Sequence, residues 1–276
     1  TCSRGKTGHG VLPVSETEEI IRIAARGDGV TASGRHISGG VPGDTVGEDG
    51  TLTAGPHHAD PPCRHFPVCG GCQLQHVDEE ALRQFVTDRV VGAAKAQDLA
   101  VGEVLATQLS PPRSRRRATL HALKTAQGAA LGFRESGSHR IVNMQECHIL
   151  VPELFALVEP LRKLIGRYGG RQAVDVELTL VDQGVDCTLK GIEADGLAAT
   201  EALLDFAREN SLARLSVDRG FGPETSWEPE PLTVGLGDIA VPFPHGSFLQ
   251  PTVDGERALV ADALDFLDGA TTVADL

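Results

Sequence analysis

Cys63-Arg64-His65-Phe66-Pro67-Val68-Cys69-Gly70-Gly71-Cys72-Gln73-Leu74-Gln75-His76 sets three cysteines at a C-x5-C-G-G-C spacing. A fourth, Cys147, follows far downstream in Met144-Gln145-Glu146-Cys147-His148. Four thiolates meet the ligand requirement of an iron–sulfur cluster or of a structural zinc. The glycine pair lets the backbone turn sharply enough for Cys69 and Cys72 to face one centre. The other readings are buried free thiols or a disulfide. A disulfide suits an oxidising compartment, and nothing in the sequence reads as a secretory segment.

The spacing differs from the C-x3-C-x2-C of radical enzymes that cleave S-adenosylmethionine at an open iron. With a fourth cysteine to hand every iron is ligated, which favours a structural or weakly redox-active role. Extended to C-x5-C-G-G-C-x-x-Q-H with a distant cysteine, the motif resembles that of the RNA 5-methyluridine methyltransferases. Members of that family carry a TRAM domain, a [4Fe–4S] domain and a class I S-adenosylmethionine-dependent methyltransferase domain. The resemblance implies that Cys63, Cys69, Cys72 and Cys147 hold a [4Fe–4S] cluster.

The 276 residues suffice for two or three compact units. No apolar run is long enough to span a membrane, and no signal peptide is evident. A cytoplasmic, monomeric protein is expected. A net charge of −13 opposes RNA binding at long range, so what matters is where positive charge gathers. Between Arg113 and Arg140 there are seven Lys and Arg residues and one acid, Glu135.

The expected fold class is α+β. Residues 1–14, with Cys2, read as a flexible lead-in. Ile20–Ile23, Thr31–Ile37 and a short strand after Val41-Pro42-Gly43-Asp44 read as a small OB-like β-barrel. Gly27, Gly29 and Val41–Asp44 are similar to the turns of a TRAM domain, though such turns also occur in any small adapter barrel. His57 and His58 read as solvated residues of a proline-rich linker. Asp78 caps a helix whose Leu82, Phe85, Val86, Val90 and Ala93 form one apolar stripe. His76 is expected to hydrogen-bond near the cluster.

Next comes Ser110-Pro111-Pro112-Arg113-Ser114-Arg115-Arg116-Arg117, then a hairpin of Ala118–Leu123 and Ala129–Phe133. With Phe133–Val142 this resembles the family's arginine-bearing strand and its G-F-x-x-x-S-H-x-I-V segment, although Arg116 stands where the family often has tyrosine. RNA contact is therefore expected at Arg113, Arg115, Arg116, Arg117, Arg134 and Arg140. A solvated basic face is the plainer reading. A helix over 151–168, a hairpin around Asp182-Gln183-Gly184, a helix over Leu197–Glu209, and strands over Leu212–Val217 and Leu232–Val241 follow. Cys187 reads as a buried structural thiol.

Phe243–Thr252 leads into an amphipathic helix over Val253–Leu267. Phe248 and Gln250 are similar to the family's F-x-Q-x-N segment, with Thr252 in place of asparagine. The resemblance implies that Gln250 contacts S-adenosylmethionine. Thr271–Leu276 reads as the first strand of a Rossmann-like methyltransferase sheet.

The expected domains are a TRAM-like barrel over 1–57, a central α/β iron–sulfur and RNA-binding domain over 58–242, and the start of a methyltransferase domain over 243–276. The chemistry implied is methyl transfer from S-adenosylmethionine to C5 of a uridine in ribosomal or transfer RNA. A cysteine would add at C6 and a base would remove the C5 proton. Those groups, and the glycine loop for the cofactor, would lie beyond Leu276. The chain alone is thus expected to be inactive, with no catalytic residue of its own. The competing reading is a stand-alone iron–sulfur or zinc RNA-binding module without catalysis.

Overall fold

The computed structural model describes residues 17–274; the expected lead-in over 1–14, Cys2, and Asp275 and Leu276 of the expected last strand lie outside them. The fold is α+β and divides into two compact units. The first takes the chain up to Asp60 and then Leu74–Thr107; the second takes Pro61–Gln73 and everything from Gln108. The cysteine loop is therefore part of the second unit.

In the first unit five short strands, β1 (Glu18–Ile23), β2 (Gly29–Thr31), β3 (His36–Ile37), β4 (Thr45–Val46) and β5 (Leu52–Thr53), pair antiparallel in the order β3-β2-β1-β4-β5. Among the described residues the result is a curled antiparallel half-barrel sheet with β3 and β5 at its two edges, where a small OB-like barrel was expected. The single strand expected over Thr31–Ile37 is broken by a turn in which the Gly34 N–H donates to the Thr31 carbonyl and Gly34 adopts φ +89°. Ile20 is fully buried beneath this sheet.

Asp44 is also fully buried, and its carboxylate accepts from the Val41 and Gly55 N–H groups and pairs with His58 Nδ1 at 2.9 Å. His57 Nδ1 pairs with Asp78 at 2.9 Å. The two histidines are thus tied down rather than solvated as expected, because the linker runs past carboxylates that need donors. His76 is buried with its ring tilted against His58.

Helix α1 (Glu79–Ala96) starts where expected, with the Asp78 carboxylate accepting from the Ala81 N–H at 2.8 Å. Its stripe is only half used. Leu82 and Phe85 pack with Ile23, Val41, Val77 and Ala81, whereas Val90 and Ala93 are exposed.

The second unit is built on a six-stranded mixed sheet in the order β11-β10-β9-β8-β6-β7. Its strands are β6 (Arg117–Thr125), β7 (Gly128–Gly132), β8 (Val174–Val181), β9 (Gly184–Lys190), β10 (Leu212–Asp218) and β11 (Pro223–Trp227). All pairs are antiparallel except β9 and β10, which are joined through α4 (Leu197–Glu209). Alternation puts Ala118, Leu178, Cys187 and Leu215 on one rung, and Leu120, Val176, Leu189 and Val217 on the next. This apolar face packs on α2 (Pro152–Ala156), α3 (Val158–Tyr168) and α4 to make the main core.

The continuous helix expected over 151–168 is divided at Leu157. Pro160 gives the reason, since its ring would collide with the Ala156 carbonyl of an unbroken helix. Leu232–Val241 is likewise a hairpin, β12 (Thr233–Leu236) and β13 (Ile239–Pro242), turning at Gly237-Asp238 with Gly237 at φ +60°. Helix α5 (Val253–Leu267) forms as expected, capped by the Thr252 hydroxyl, but buries none of its residues. Residues 271–274 form no strand.

Candidate functional site

The cysteine loop is held against the tail of the β6–β7 hairpin. Main-chain bonds run from the Val142 N–H to the Phe133 carbonyl and from the Met144 N–H to the Leu131 carbonyl, extending the hairpin toward Cys147. The loop docks on this extension. The Gly70 N–H donates to the Arg134 carbonyl at 2.9 Å, and the Ser136 N–H to the Val68 carbonyl at 2.9 Å. On the other side the Arg64 N–H donates to Glu146 Oε1 at 2.6 Å, and the Gln145 N–H to His65 Nε2 at 2.9 Å. These bonds bring residues some 80 positions apart in sequence onto one site.

The two glycines are required by close packing. A Cβ on Gly70 would stand 2.8 Å from the Arg134 carbonyl oxygen, and one on Gly71 would stand 2.7 Å from the Phe133 ring. Cys63, Cys69, Cys72 and Cys147 are half-buried, and none of them is joined in a disulfide. Burial pushes the Cys69 thiol above its ordinary value; the Gly71 N–H opposes this, while the nearby Cys147 and Cys63 sulfurs raise it further. A thiol so placed is a poor free thiolate and a good ligand, because a bound metal would take up the charge that burial disfavours. The donor set fits an all-cysteine centre in chemistry. Among the described residues, no three His, Cys, Asp or Glu side chains stand closely enough around one point to hold a single metal ion.

The basic stretch does not act as one face. The Arg113 and Arg115 N–H groups bond the carbonyls of His148 and Ile149, so this segment runs beside the one that follows Cys147. Arg134 and Arg140 are exposed at the cysteine loop, with Arg140 3.6 Å from Glu135. Arg115 and Arg117 are exposed and line a groove of about 550 Å³ on the sheet face away from the helices. Arg116 turns inward. It is 6% exposed, pairs with Glu256 at 2.6 Å and donates from Nε to the Gln250 carbonyl at 3.1 Å. Successive strand residues face opposite ways, so a run of arginines cannot present every member to one ligand.

No family model matches the chain. Individual proteins do. The chain is 44% identical over 94% of its length to an RNA methyltransferase of Zymomonas mobilis, and 35% identical over 93% to one of Caulobacter vibrioides. It is 31% identical over 84% of its length to a protein of Shewanella piezotolerans named 23S rRNA (uracil(1939)-C(5))-methyltransferase RlmD. The chain is a relative of the RNA methyltransferases. It spans 66%, 66% and 57% of the lengths of those three proteins.

In this relative of the RNA methyltransferases, Gln250 is half-buried and lies in a segment clamped from below. Arg116 holds the Gln250 carbonyl, the Arg116 N–H donates to the Pro251 carbonyl at 2.8 Å, and Arg117 reaches the Leu249 carbonyl at 3.4 Å. At the other end Arg214, 4% exposed, reaches the Phe243 carbonyl and grips Asp186 through two bonds of 2.9 and 2.7 Å. Reading the sequence missed the Arg214–Asp186 pair. The signal was present, since a charge inside the apolar run Leu212-Ala213-Arg214-Leu215 demands a buried partner on a neighbouring strand. Cys187 is fully buried, as expected, and burial drives its thiol far up, so it is no nucleophile.

Proposed function

We propose that this chain is part of an S-adenosylmethionine-dependent methyltransferase acting on C5 of uridine in RNA, with ribosomal RNA as the first substrate class to test. The observation that carries the reading is the 44% identity to an RNA methyltransferase over 94% of the chain. The likeness to the protein named RlmD supplies the uracil-C5 position and the ribosomal RNA.

Within this reading Cys63, Cys69, Cys72 and Cys147 hold a [4Fe–4S] cluster. In a cubane each thiolate binds its own iron, so the sulfurs need not converge on one point as zinc ligands must. The cluster, when bound, supplies cross-linking of the loop to the Cys147 segment. The curled sheet of the first unit serves as a TRAM-like RNA-binding element. Arg113, Arg115, Arg117, Arg134 and Arg140 contact phosphates, and Arg116 positions the segment that carries Gln250. Gln250 contributes one contact to S-adenosylmethionine.

The test has two arms. Anaerobically purified protein is analysed for iron, labile sulfide and zinc; about four irons with matching sulfide are expected, and zinc without sulfide would remove the cluster. The protein in its full natural length is then incubated with S-adenosylmethionine bearing a labelled methyl group and with ribosomal RNA lacking modifications. Label in 5-methyluridine is expected. Label in any other nucleoside, or none, would overturn the assigned reaction.

A further inference from the structure

The groove on the open face of the six-stranded sheet has a floor unlike its walls. The face carries a rung of Thr119, Glu177, Thr188 and Ser216, and beside it a rung of Arg117, Thr179, Asp186 and Arg214. Of these, Thr119, Thr179 and Thr188 line the groove. The Ser216 hydroxyl, next in register to Thr188, is fully buried and has no hydrogen-bond partner among the described residues.

The charges on this face largely cancel. Glu177 pairs with Lys190 at 2.7 Å, and Asp186 is taken by Arg214. Arg115 and Arg117 remain without a carboxylate partner among the described residues, on the wall also formed by Phe248, over whose ring the Arg117 guanidinium lies at 5.6 Å. The groove therefore has a net positive rim over a neutral floor of groups that both donate and accept.

We propose that this groove seats single-stranded RNA, with Arg115 and Arg117 on phosphates and the Thr119, Thr179 and Thr188 hydroxyls against base edges. The inference rests on the RNA reading above and narrows it to one surface and one strand state. Guanidinium groups place a phosphate without reading sequence, whereas hydroxyls can bond an exposed base edge. A duplex keeps those edges inside its grooves and cannot lay them on a sheet floor; unstacked bases can. Two features make the floor rigid. It consists of paired strands, and the wall segment is anchored by Arg116 and Arg214.

The experiment uses the protein purified anaerobically with whatever metal it carries. A short oligoribonucleotide containing 4-thiouridine is cross-linked to it, either single-stranded or annealed to its complement, and the attachment site is mapped by mass spectrometry. Cross-links from the single strand to residues 115–119, 177–190 or 245–251 are expected, with the duplex much weaker. Thr179→Val should weaken single-strand binding about 2- to 10-fold, the loss of one net hydrogen bond. Arg117→Ala should weaken it about 10- to 100-fold, the loss of one charged contact. RNA bound with cross-links only at the cysteine loop or the first unit would overturn this inference and leave the RNA reading standing. Equal binding of single strand and duplex would also overturn it. No binding of any RNA would overturn both.

Discussion

Adding one methyl group at Gly70 should undo the docking of the cysteine loop. In Gly70→Ala the new Cβ would stand 2.8 Å from the Arg134 carbonyl oxygen and 3.4 Å from the Glu135 carbonyl carbon. Both are backbone, so the contact cannot be relieved by turning a side chain. The loop must lift, and the bonds from Gly70 to Arg134 and from Ser136 to Val68 are lost or stretched. At about 0.5–1.5 kcal/mol net per bond, the loss is about 1–3 kcal/mol. That corresponds to roughly a 5- to 150-fold shift of the docked equilibrium.

Two assays read this out. Hydrogen exchange in the metal-free chain should speed up by that factor at the amides of Gly70 and Ser136. On the proposed cluster, iron content after anaerobic reconstitution should fall, because the loop carrying Cys69 would no longer be docked beside the segment carrying Cys147. Gly92→Ala is the control, since nothing lies within 4 Å of its added Cβ and it sits inside α1. It should stabilise the protein by about 0.5–1 kcal/mol. If Gly70→Ala keeps wild-type exchange and full iron content, the loop is not held by this contact and the reasoning fails.

Three further outcomes follow from the same geometry. Arg214→Met leaves Asp186 buried without its partner and should cost about 3–5 kcal/mol in chemical denaturation, with Asp186→Asn in the same chain recovering part of it; a loss under 1 kcal/mol would mean that water replaces the guanidinium. The hydrogen bond that His57 Nδ1 donates to the Asp78 carboxylate holds the ring above its ordinary 6.5, so while Asp78 stays ionised this pair stabilises fully below about pH 6.5 and its contribution fades as pH rises through the raised value. Asp78→Asn, which keeps a cap at α1, should return the His57 titration toward 6.5 in an NMR experiment, and an unmoved midpoint would refute the pairing. Cys187 should resist alkylation in the native protein and react only on unfolding, because burial both hides it and suppresses its thiolate; rapid labelling under native conditions would contradict its place in the core.

Much of this architecture is legible before any coordinates. Asp78 announces the start of α1, the Asp182-Gln183-Gly184 turn announces the β8–β9 hairpin, and alternation marks the buried side of β6, β8 and β9. These are local signals, read within a few residues of one another. The errors came where a breaker sat inside a regular stretch. Pro160 divides the helix at Leu157, Gly34 divides β2 from β3, and Gly237-Asp238 divides β12 from β13. Each could have been found by giving the glycine or proline more weight than the apolar pattern around it.

The spacing of Cys63, Cys69 and Cys72 and the later Cys147 determined by themselves that a four-thiol site was to be looked for, because ligand type and glycine placement are written in consecutive residues. Which arginines face solvent was not written there. Arg115, Arg116 and Arg117 are chemically alike in the chain, yet Arg116 is buried against Glu256, 140 positions away, while its neighbours line the groove. That division depends on strand alternation combined with the return of the Gln250–Glu256 segment beneath Arg116. The groove depends likewise on the register that sets Thr119, Thr179 and Thr188 on neighbouring positions of three strands. Contacts between residues so far apart are settled only when the chain closes on itself and each buried charge must find its partner.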